Sequence, residues 1–455
     1  MTKKTVSFCG ISGSGMSALA QIMKLSGYEV RGSDRSFDQG HDIFQKEALQ
    51  SLGIKIFPQD GSAINSDVTC LYTSTAVEDT IPDVKAAHEH NIPIKQRFDL
   101  LAELFHSYKK GIAVGGTSGK TTTTAMIGYI LDQLQKKPCV INGGLLLNYD
   151  KQKGIPNYIY NKGDICVIEA DESNGSIESY HPYISVINNI GLDHKSLAEL
   201  QELFQNFAHR TSHGVVVNLD CEACKSITAP CQKVTFSLKD TQADFYASDL
   251  TNLPDGISYK LGDKTFTLKL IGAFNVANAL AAIAACSLLG IDKEEAATVL
   301  QNFMGTHRRL EVIGRQNGVT VIDDFAHNPD KISASMQALK NYPGRLLVMF
   351  QPHGFSPMRF MGKEIIDSFC QTMDNTDILL MPEIYFAGGT VTKDISSADF
   401  VNQAKEQGKQ AFFFPTRAEI KDFICKHAQP GDRIIIMGAR DNTLPDFCRE
   451  ILKGL

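Results

Sequence analysis

Ile112-Ala-Val-Gly-Gly-Thr-Ser-Gly-Lys-Thr-Thr-Thr-Thr124 decides how this chain is read: a short apolar run breaks into a glycine turn that ends Gly-Lys-Thr. Such a turn builds a nest for phosphate. The backbone N–H groups of Gly116, Thr117, Ser118, Gly119 and Lys120 curl around phosphate oxygens, the next helix aims its positive end at them, and Lys120 neutralises charge. Thr121 or Thr122 is placed to hold Mg2+. The helix is expected because Ala125, Met126, Ile127, Ile130, Leu131 and Leu134 recur at helical spacing. The usual first glycine of such a loop would stand at position 114, where this chain has Val, so the loop is a shortened version. A plain Gly/Ser/Thr helix cap is the competing reading, and it gives Lys120 and Thr121 no task.

The 455 residues suffice for about three domains of ordinary size. A net charge of −6 offers no broad basic surface, which argues against a nucleic-acid partner. No apolar run reaches the ~18 residues of a membrane span. The chain enters a strand-like run at Thr5 without a signal-peptide core, and its eleven cysteines are odd in number and scattered. The expectation is a cytoplasmic enzyme with reduced thiols. Cys221, Cys224 and Cys231 form one cluster, but no second CxxC pair follows and the nearest histidine is His213, which argues against a zinc or redox centre.

Strand-like runs alternate with helical segments throughout, the pattern of parallel α/β sheets. Three blocks are expected, with borders at 1–107, 108–308 and 309–455. In the first, a strand at Thr5–Cys9 turns through Gly10-Ile-Ser-Gly-Ser-Gly-Met-Ser-Ala18 into a helix, and a second strand over 28–31 leads to Ser33-Asp34. Gly13-x-Gly15-x-x-Ala18 with an acid nineteen residues after Gly15 matches a dinucleotide fingerprint. A plain βαβ turn, NAD and another nucleoside diphosphate all remain open at this point.

In the second block, Ile165–Ile168 runs into Glu169-Ala-Asp171-Glu172-Ser173, and Ile184–Ile187 runs into Asn188-Asn-Ile-Gly-Leu-Asp193-His194. Carboxyl ends of parallel strands share one edge, so these groups should converge on the phosphate loop and offer hard oxygen ligands to magnesium. Asn275 and Asn278 open a small-residue helix, one face of which could read adenine or cap the chain. The third block follows Met304-Gly-Thr-His-Arg308-Arg309-Leu-Glu311, a polar hinge-like stretch. Its strand ends carry Asp323-Asp324-Phe-Ala-His327-Asn328-Pro329, Gln351-Pro352-His353 and Gly438-Ala-Arg440-Asp441. That edge is expected to face the nucleotide of the second block.

Taken together, these motifs resemble the Mur ligases, the ATP-dependent amide-forming enzymes of peptidoglycan synthesis. Gly116–Thr124, Glu169–Ser173, Asp193-His194, Asn275-Val-Ala-Asn278, Arg308-Arg309 with Glu311, and Asp323–Pro329 stand in family order along essentially the whole chain. The resemblance implies a three-domain α/β fold: a Rossmann-like N-terminal domain, a P-loop ATPase centre and a Rossmann-like C-terminal domain. Gly10–Ser17 with Gly32-Ser33-Asp34 is similar to the branch acting on UDP-N-acetylmuramate, where the glycine loop cradles the UDP diphosphate. Members of that branch add L-alanine or, in wall recycling, an L-alanyl-γ-D-glutamyl-diaminopimelate tripeptide. Phe350–His353 is nearer the first kind and Asp323–His327 nearer the second.

By the same resemblance, Lys120, Glu169 and His194 serve catalysis, and Thr121, Glu169 and His194 hold Mg2+, with two ions expected. Gly116–Thr122, Asn275, Asn278, Arg309 and Asp324 serve ATP; Gly13, Ser14, Gly15, Met16, Ser33, Asp34 and Ser74 serve the UDP-sugar. His327, Asn328, His353 and Arg359 face the amino substrate. The chain departs from the family pattern at Ser118 and Phe274, each in place of a histidine, at Gly354 and Arg440 in the C-terminal block, and in having no lysine between Lys195 and Lys225. A paralogue with another acceptor is therefore a further reading. A dehydrogenase would leave the Gly-Lys-Thr loop idle, and a P-loop switch would leave Asp323–Pro329 idle.

Overall fold

Five consecutive buried residues, Thr5–Cys9, form the first strand, β1. In the computed structural model, which describes residues 4–75, 77–150, 152–172, 175–191, 196–386, 392–439 and 441–455, this strand centres a five-stranded parallel sheet. Its other members are β2 (Glu29–Ser33), β3 (Lys55–Phe57), β4 (Val68–Thr73) and β5 (Ile94–Gln96), in the order β3-β2-β1-β4-β5. β2 extends past the expected Arg31 because Ser33 still pairs with Cys9. Gly10 turns the chain at φ 81°, a conformation glycine adopts without steric cost, and the helix Ser14–Leu25 follows.

The second sheet has ten strands: β6 (Lys110–Gly115), β7 (Cys139–Ile141), β8 (Tyr158–Tyr160), β9 (Ile165–Glu169), β10 (Ile184–Ile187), β11 (Gly214–Asn218), β12 (Gln232–Ser237), β13 (Phe245–Leu253), β14 (Gly256–Leu261) and β15 (Lys264–Leu268). β6 lies between β10 and β9 and runs parallel to both, so the segments leaving all three strands emerge at one edge. The helix after β6 spans Lys120–Gln133, with Leu134 as its cap rather than its last turn. The β13–β15 extension is not among the strands expected from sequence. Its residues alternate with Asp, Asn and Thr instead of forming apolar runs, because only one face is covered.

Both sheets belong to one compact unit, residues 1–250, 259–268 and 274–306. A buried amide lock ties them. Gln21 donates from Nε2 to Asn157 Oδ1 at 3.0 Å and accepts from Ile155 N–H at 2.7 Å. Asn157 in turn donates to Ser14 O at 2.7 Å and Ser17 Oγ at 2.9 Å, at the start of the glycine-loop helix.

The other unit comprises residues 251–258, 269–273 and 307–455. It carries β16 (Glu311–Gln316), β17 (Val319–Asp324), β18 (Leu346–Phe350), β19 (Ile378–Pro382), β20 (Gln410–Phe414) and β21 (Arg433–Met437), ordered β16-β17-β21-β18-β19-β20. All pair in parallel except β16, an antiparallel edge strand that begins at Glu311, where the sequence suggested only a hinge. Apolar clusters cover both faces, as a parallel sheet requires. Among the described residues no helix is long and apolar enough to cross a membrane.

The lock makes a prediction. Gln21→Leu removes the partners of the buried Ile155 N–H and of Asn157 Oδ1, which should lower stability by about 1–3 kcal/mol in urea denaturation. A variant as stable as the parent would show that these bonds contribute nothing net.

Candidate active site

The phosphate loop is shaped by two glycines and braced by asparagines. Gly116 has φ 137° and Gly119 φ 82°, and a Cβ on Gly119 would come within 2.5 Å of Asn278 Oδ1. Asn189, leaving β10, accepts at Oδ1 from Thr117 Oγ1 and Ser118 N–H, both at 2.8 Å, and donates to Ser118 O at 3.1 Å. Gly191 N–H donates to Thr117 Oγ1 at 3.2 Å. One turn into the helix, Asn188 donates to Thr123 Oγ1 at 2.9 Å. Thr123 itself donates to Asn278 Oδ1 at 3.3 Å, and Asn278 donates to Asn275 Oδ1 at 3.2 Å. Asn275 and Asn278 are buried and brace the loop's helix from behind.

Charge converges as the strand order requires. Lys120 Nζ donates to Gly116 O and to Glu172 Oε2, each at 2.7 Å. Burial raises the Glu172 carboxyl above its ordinary value, and Lys120 opposes that shift. Thr121 Oγ1 donates to Glu169 Oε2 at 2.9 Å, while Glu169 Oε1 accepts from Gly143 N–H at 2.5 Å. A hydroxyl and a carboxylate side by side form a hard oxygen pair that fits Mg2+. Asn142 Oδ1, buried at the same edge, has no hydrogen-bond partner among the described residues. Asp193 and His194 lie outside the described residues, and among those described no group of three or more His, Cys, Asp or Glu gathers as a metal cage.

A cleft of about 360 Å³ opens here. One wall is Gly13, Ser14, Gly15, Met16 and Ser74 from the first sheet; the other is Lys120, Asn142, Gly143, Glu169 and Asp171 from the second. Arg97 lies between them, with Nη1 2.8 Å from where a Cβ on Gly15 would stand. Arg97, Asn142 and Gly143 are absent from the sequence reading, which gives Asn189 no task, although each follows a parallel strand, β5, β7 or β10. Ser33 and Asp34 do not line the cleft. The Ser33 hydroxyl is buried and donates to Asp83, and Asp34 accepts from Ser12 N–H at 2.8 Å and Ser36 N–H at 2.9 Å. The Asp34 side chain and the Ser33 carbonyl, which accepts from Gly10 N–H at 2.9 Å and Ile11 N–H at 3.1 Å, shape the glycine turn.

In the other unit, Arg308 stands at φ 59° with its guanidinium buried. It donates to Asp323 Oδ1 at 3.3 Å, Gly438 O at 2.6 Å and Asp441 O at 3.2 Å. Burial pushes the Asp323 carboxyl up to about 6 despite Arg308. Asp324 accepts from Ser335 Oγ and is buried, and Arg309 lies over the Phe325 ring at 5.0 Å. Asn328 caps the helix Pro329–Lys340, accepting from Lys331 N–H at 3.0 Å. His327 donates from Nδ1 to Phe325 O at 2.8 Å and packs edge-on against His353, ring centroids 5.4 Å apart. Arg359 donates to Asp394 Oδ1 at 2.5 Å and Thr392 O at 2.9 Å. Arg440 lies outside the described residues.

Three family models match in succession: "Mur ligase family, catalytic domain" over 5–109, "Mur ligase middle domain" over 114–286 and "Mur ligase, glutamate ligase domain" over 308–440. The chain belongs to the Mur ligase family. It is thus an ATP-dependent, amide-bond-forming ligase. This Mur ligase is 34% identical to the UDP-N-acetylmuramate--L-alanine ligase of Desulforamulus reducens, over 99% of this chain and 98% of that one. It is also 34% identical to the enzyme of the same name from Lachnospira eligens, over 96% and 95% of the two chains. Among solved structures, the UDP-N-acetylmuramate-alanine ligase of Thermotoga maritima superposes with a TM-score of 0.81 at 27% identity, over 99% and 98% of the chains. The murein peptide ligase of Psychrobacter arcticus shares the fold, with a TM-score of 0.69 at 21% identity and coverage of 99% and 98%.

Two predictions arise from this geometry. Asn189→Ala removes three bonds that shape the phosphate loop, so the dissociation constant for Mg·ATP should rise roughly tenfold or more by calorimetry. Unchanged affinity would show that the loop holds its shape without Asn189. Burial lowers the His327 imidazole to about 4 from its ordinary 6.5, so in the folded protein it stays neutral where the unfolded chain takes up a proton. Acidification from about pH 6.5 to pH 4 therefore favours unfolding at this group, and His327→Gln should flatten that part of the stability–pH curve.

Proposed function

We propose that this ligase joins L-alanine to the lactyl carboxylate of UDP-N-acetylmuramate, with ATP converted to ADP and phosphate. The observation that carries the reading is the single cleft in which the glycine loop Gly13–Met16 meets Lys120 and Glu169. A nucleoside diphosphate on the glycine loop and an ATP on Lys120 would thus meet in one space. The names of the similar L-alanine ligases point to the same acceptor.

A carboxylate does not condense with an amine in water, because oxide would have to leave. Transfer of the γ-phosphoryl group makes an acyl phosphate; the amine attacks it through a tetrahedral intermediate, and phosphate departs. The protein's part is alignment and charge neutralisation. Lys120 would stabilise the β- and γ-phosphates, exchanging Glu172 for phosphate oxygens. Arg97, with the amides of Ser14 and Gly15, would hold the diphosphate of the UDP-sugar, and Ser74 would border it. Ser33 and Asp34 would act through the shape of the turn.

Thr121 and Glu169 would hold Mg2+, joined by His194 as the family resemblance implies, and we propose two ions. Magnesium, when bound, supplies the charge neutralisation that lets two anions approach. Asn275, Asn278, Arg309 and Asp324 would serve the nucleotide, and His327, Asn328, His353 and Arg359 the amino substrate. For Arg359 that role requires exchange of Asp394 for the substrate carboxylate. We place the reaction in the cytoplasm, where ATP is supplied and where free cysteines are the rule.

The test is phosphate release from Mg·ATP and UDP-N-acetylmuramate with L-alanine, other single amino acids or the tripeptide as acceptor. Turnover is expected with L-alanine, and Lys120→Ala should lower kcat by roughly 10²–10³, as for loss of one preorganised charge-stabilising group. Turnover only with the tripeptide would make this the recycling ligase, and silence with all acceptors would overturn the reading.

A further inference from the structure

Residues 188–191 connect the phosphate loop to a pair of cysteines. On one side, Asn189 and Gly191 hold Thr117 and Ser118 of the loop. On the other, Ile190 N–H donates to Cys221 Sγ at 3.3 Å, and the Cys221 thiol donates back to Ile190 O at 3.6 Å. Cys221 is partly exposed; Cys224, three residues on, is buried, and its N–H donates to Cys221 O at 3.0 Å. Neither cysteine takes part in the ligase chemistry, and their contact with Ile190 departs from the sequence expectation that this cluster has no redox role.

We propose that Cys221 and Cys224 form a reversible dithiol–disulfide pair that reacts with low-molecular-weight disulfides, and that its oxidation weakens nucleotide binding by releasing Ile190. The Cys221 thiolate attacks a disulfide RSSR, forming a Cys221–SR mixed disulfide and expelling RS⁻. Cys224 gives up its proton and attacks the Cys221 sulfur; the Cys221–Cys224 bond forms, and the second RS⁻ leaves and takes that proton. The pair loses two electrons and the small disulfide is reduced to two thiols.

The two sulfurs are suited to different parts. The hydrogen bond from Cys224, with backbone N–H groups including that of Ile190, lowers Cys221 to about 6, so it is largely thiolate at neutral pH. The same bond and burial raise Cys224, which keeps its proton until a mixed disulfide sits beside it. A metal role lacks donors: among the described residues no third His, Cys, Asp or Glu joins the pair. Bonding Cys221 to Cys224 draws the sulfur from Ile190 N–H, the bond that the thiolate accepts. Ile190 is flanked by the two residues that hold the loop. The coupling to nucleotide rests on the reading of residues 116–122 as the ATP site; the dithiol chemistry does not.

Cleavage at Arg210 and Lys225 isolates residues 211–225, which contain these two cysteines and no other. The reduced full-length protein is treated with oxidised glutathione, free thiols are blocked, and the peptide is weighed. Loss of two hydrogens is expected, with the Mg·ATP dissociation constant rising roughly three- to tenfold and recovering in dithiothreitol. Cys224→Ser should stop at a glutathione adduct on Cys221, and Cys221→Ser should leave Cys224 unmodified and the affinity insensitive to oxidant. An unchanged peptide, modification of Cys224 without Cys221, or a disulfide that leaves affinity unaltered would overturn the proposal. Failure of the reduced protein to bind Mg·ATP would instead overturn the assignment of the loop, and the coupling with it.

Discussion

A buried ion pair, Lys120 with Glu172, joins the loop after β6 to the segment after β9 in the first unit. Removing two charges from water costs several kcal/mol, which their attraction offsets only when geometry and further hydrogen bonds are good. Here the 2.7 Å contact and the second bond from Lys120 to Gly116 O provide both. The partners lie 52 residues apart in the chain and meet because β9 lies beside β6 in parallel, so each strand delivers its next segment to the same edge. The arrangement also suits exchange. A phosphate at the loop would replace one anion by another beside Lys120, and the lysine would then be paired both before and after binding.

The geometry of the loop depends on neighbours more than on its own residues. Gly116 and Gly119 permit the turn, but Asn189 fixes Thr117 and Ser118, and Asn188 and Asn278 close on the first helical turn. Side chains with both a donor and an acceptor suit this task, since one Asn satisfies two backbone or hydroxyl groups in a place that excludes water. The cost of such bracing is dependence on the strand end that carries it. Any change at residues 188–191 reaches Thr117 and Ser118 of the loop.

Most of the parallel core was legible in the chain, because strands buried on both faces read as continuous apolar runs: Ile165–Ile168, Ile184–Ile187 and Arg433–Met437 are found in β9, β10 and β21. The β13–β15 extension and edge strand β16 were not legible, since half-covered strands interleave polar residues and lose that signal. At the site, Lys120, Glu169 and Thr121 follow from motif and edge alone. Arg97 did not, because an arginine opening a helix looks like an ordinary solvated charge until the glycine loop is seen beside it. Asn189 escaped because its bonds reach back 71 and 72 residues to a loop that spacing cannot connect with it. Ser33 and Asp34 show the reverse limit, for a fingerprint names positions but not the direction in which a side chain points.

In the second unit, the polar groups expected to meet the amino substrate already have structural work. Asn328 caps a helix and Arg359 is paired with Asp394; the Asp324 carboxylate, expected at the nucleotide, is likewise enclosed by Ser335 and the Leu310 N–H. His327 differs. Its Nδ1 proton is committed to Phe325 O, so in the neutral ring that burial enforces, Nε2 carries the lone pair. That atom can accept a hydrogen bond from an incoming ammonium or amine but cannot donate one to a carboxylate. A tautomer fixed in this way suits a hydrogen-bond donor such as an amine, whereas a carboxylate would need a donor or a cation elsewhere.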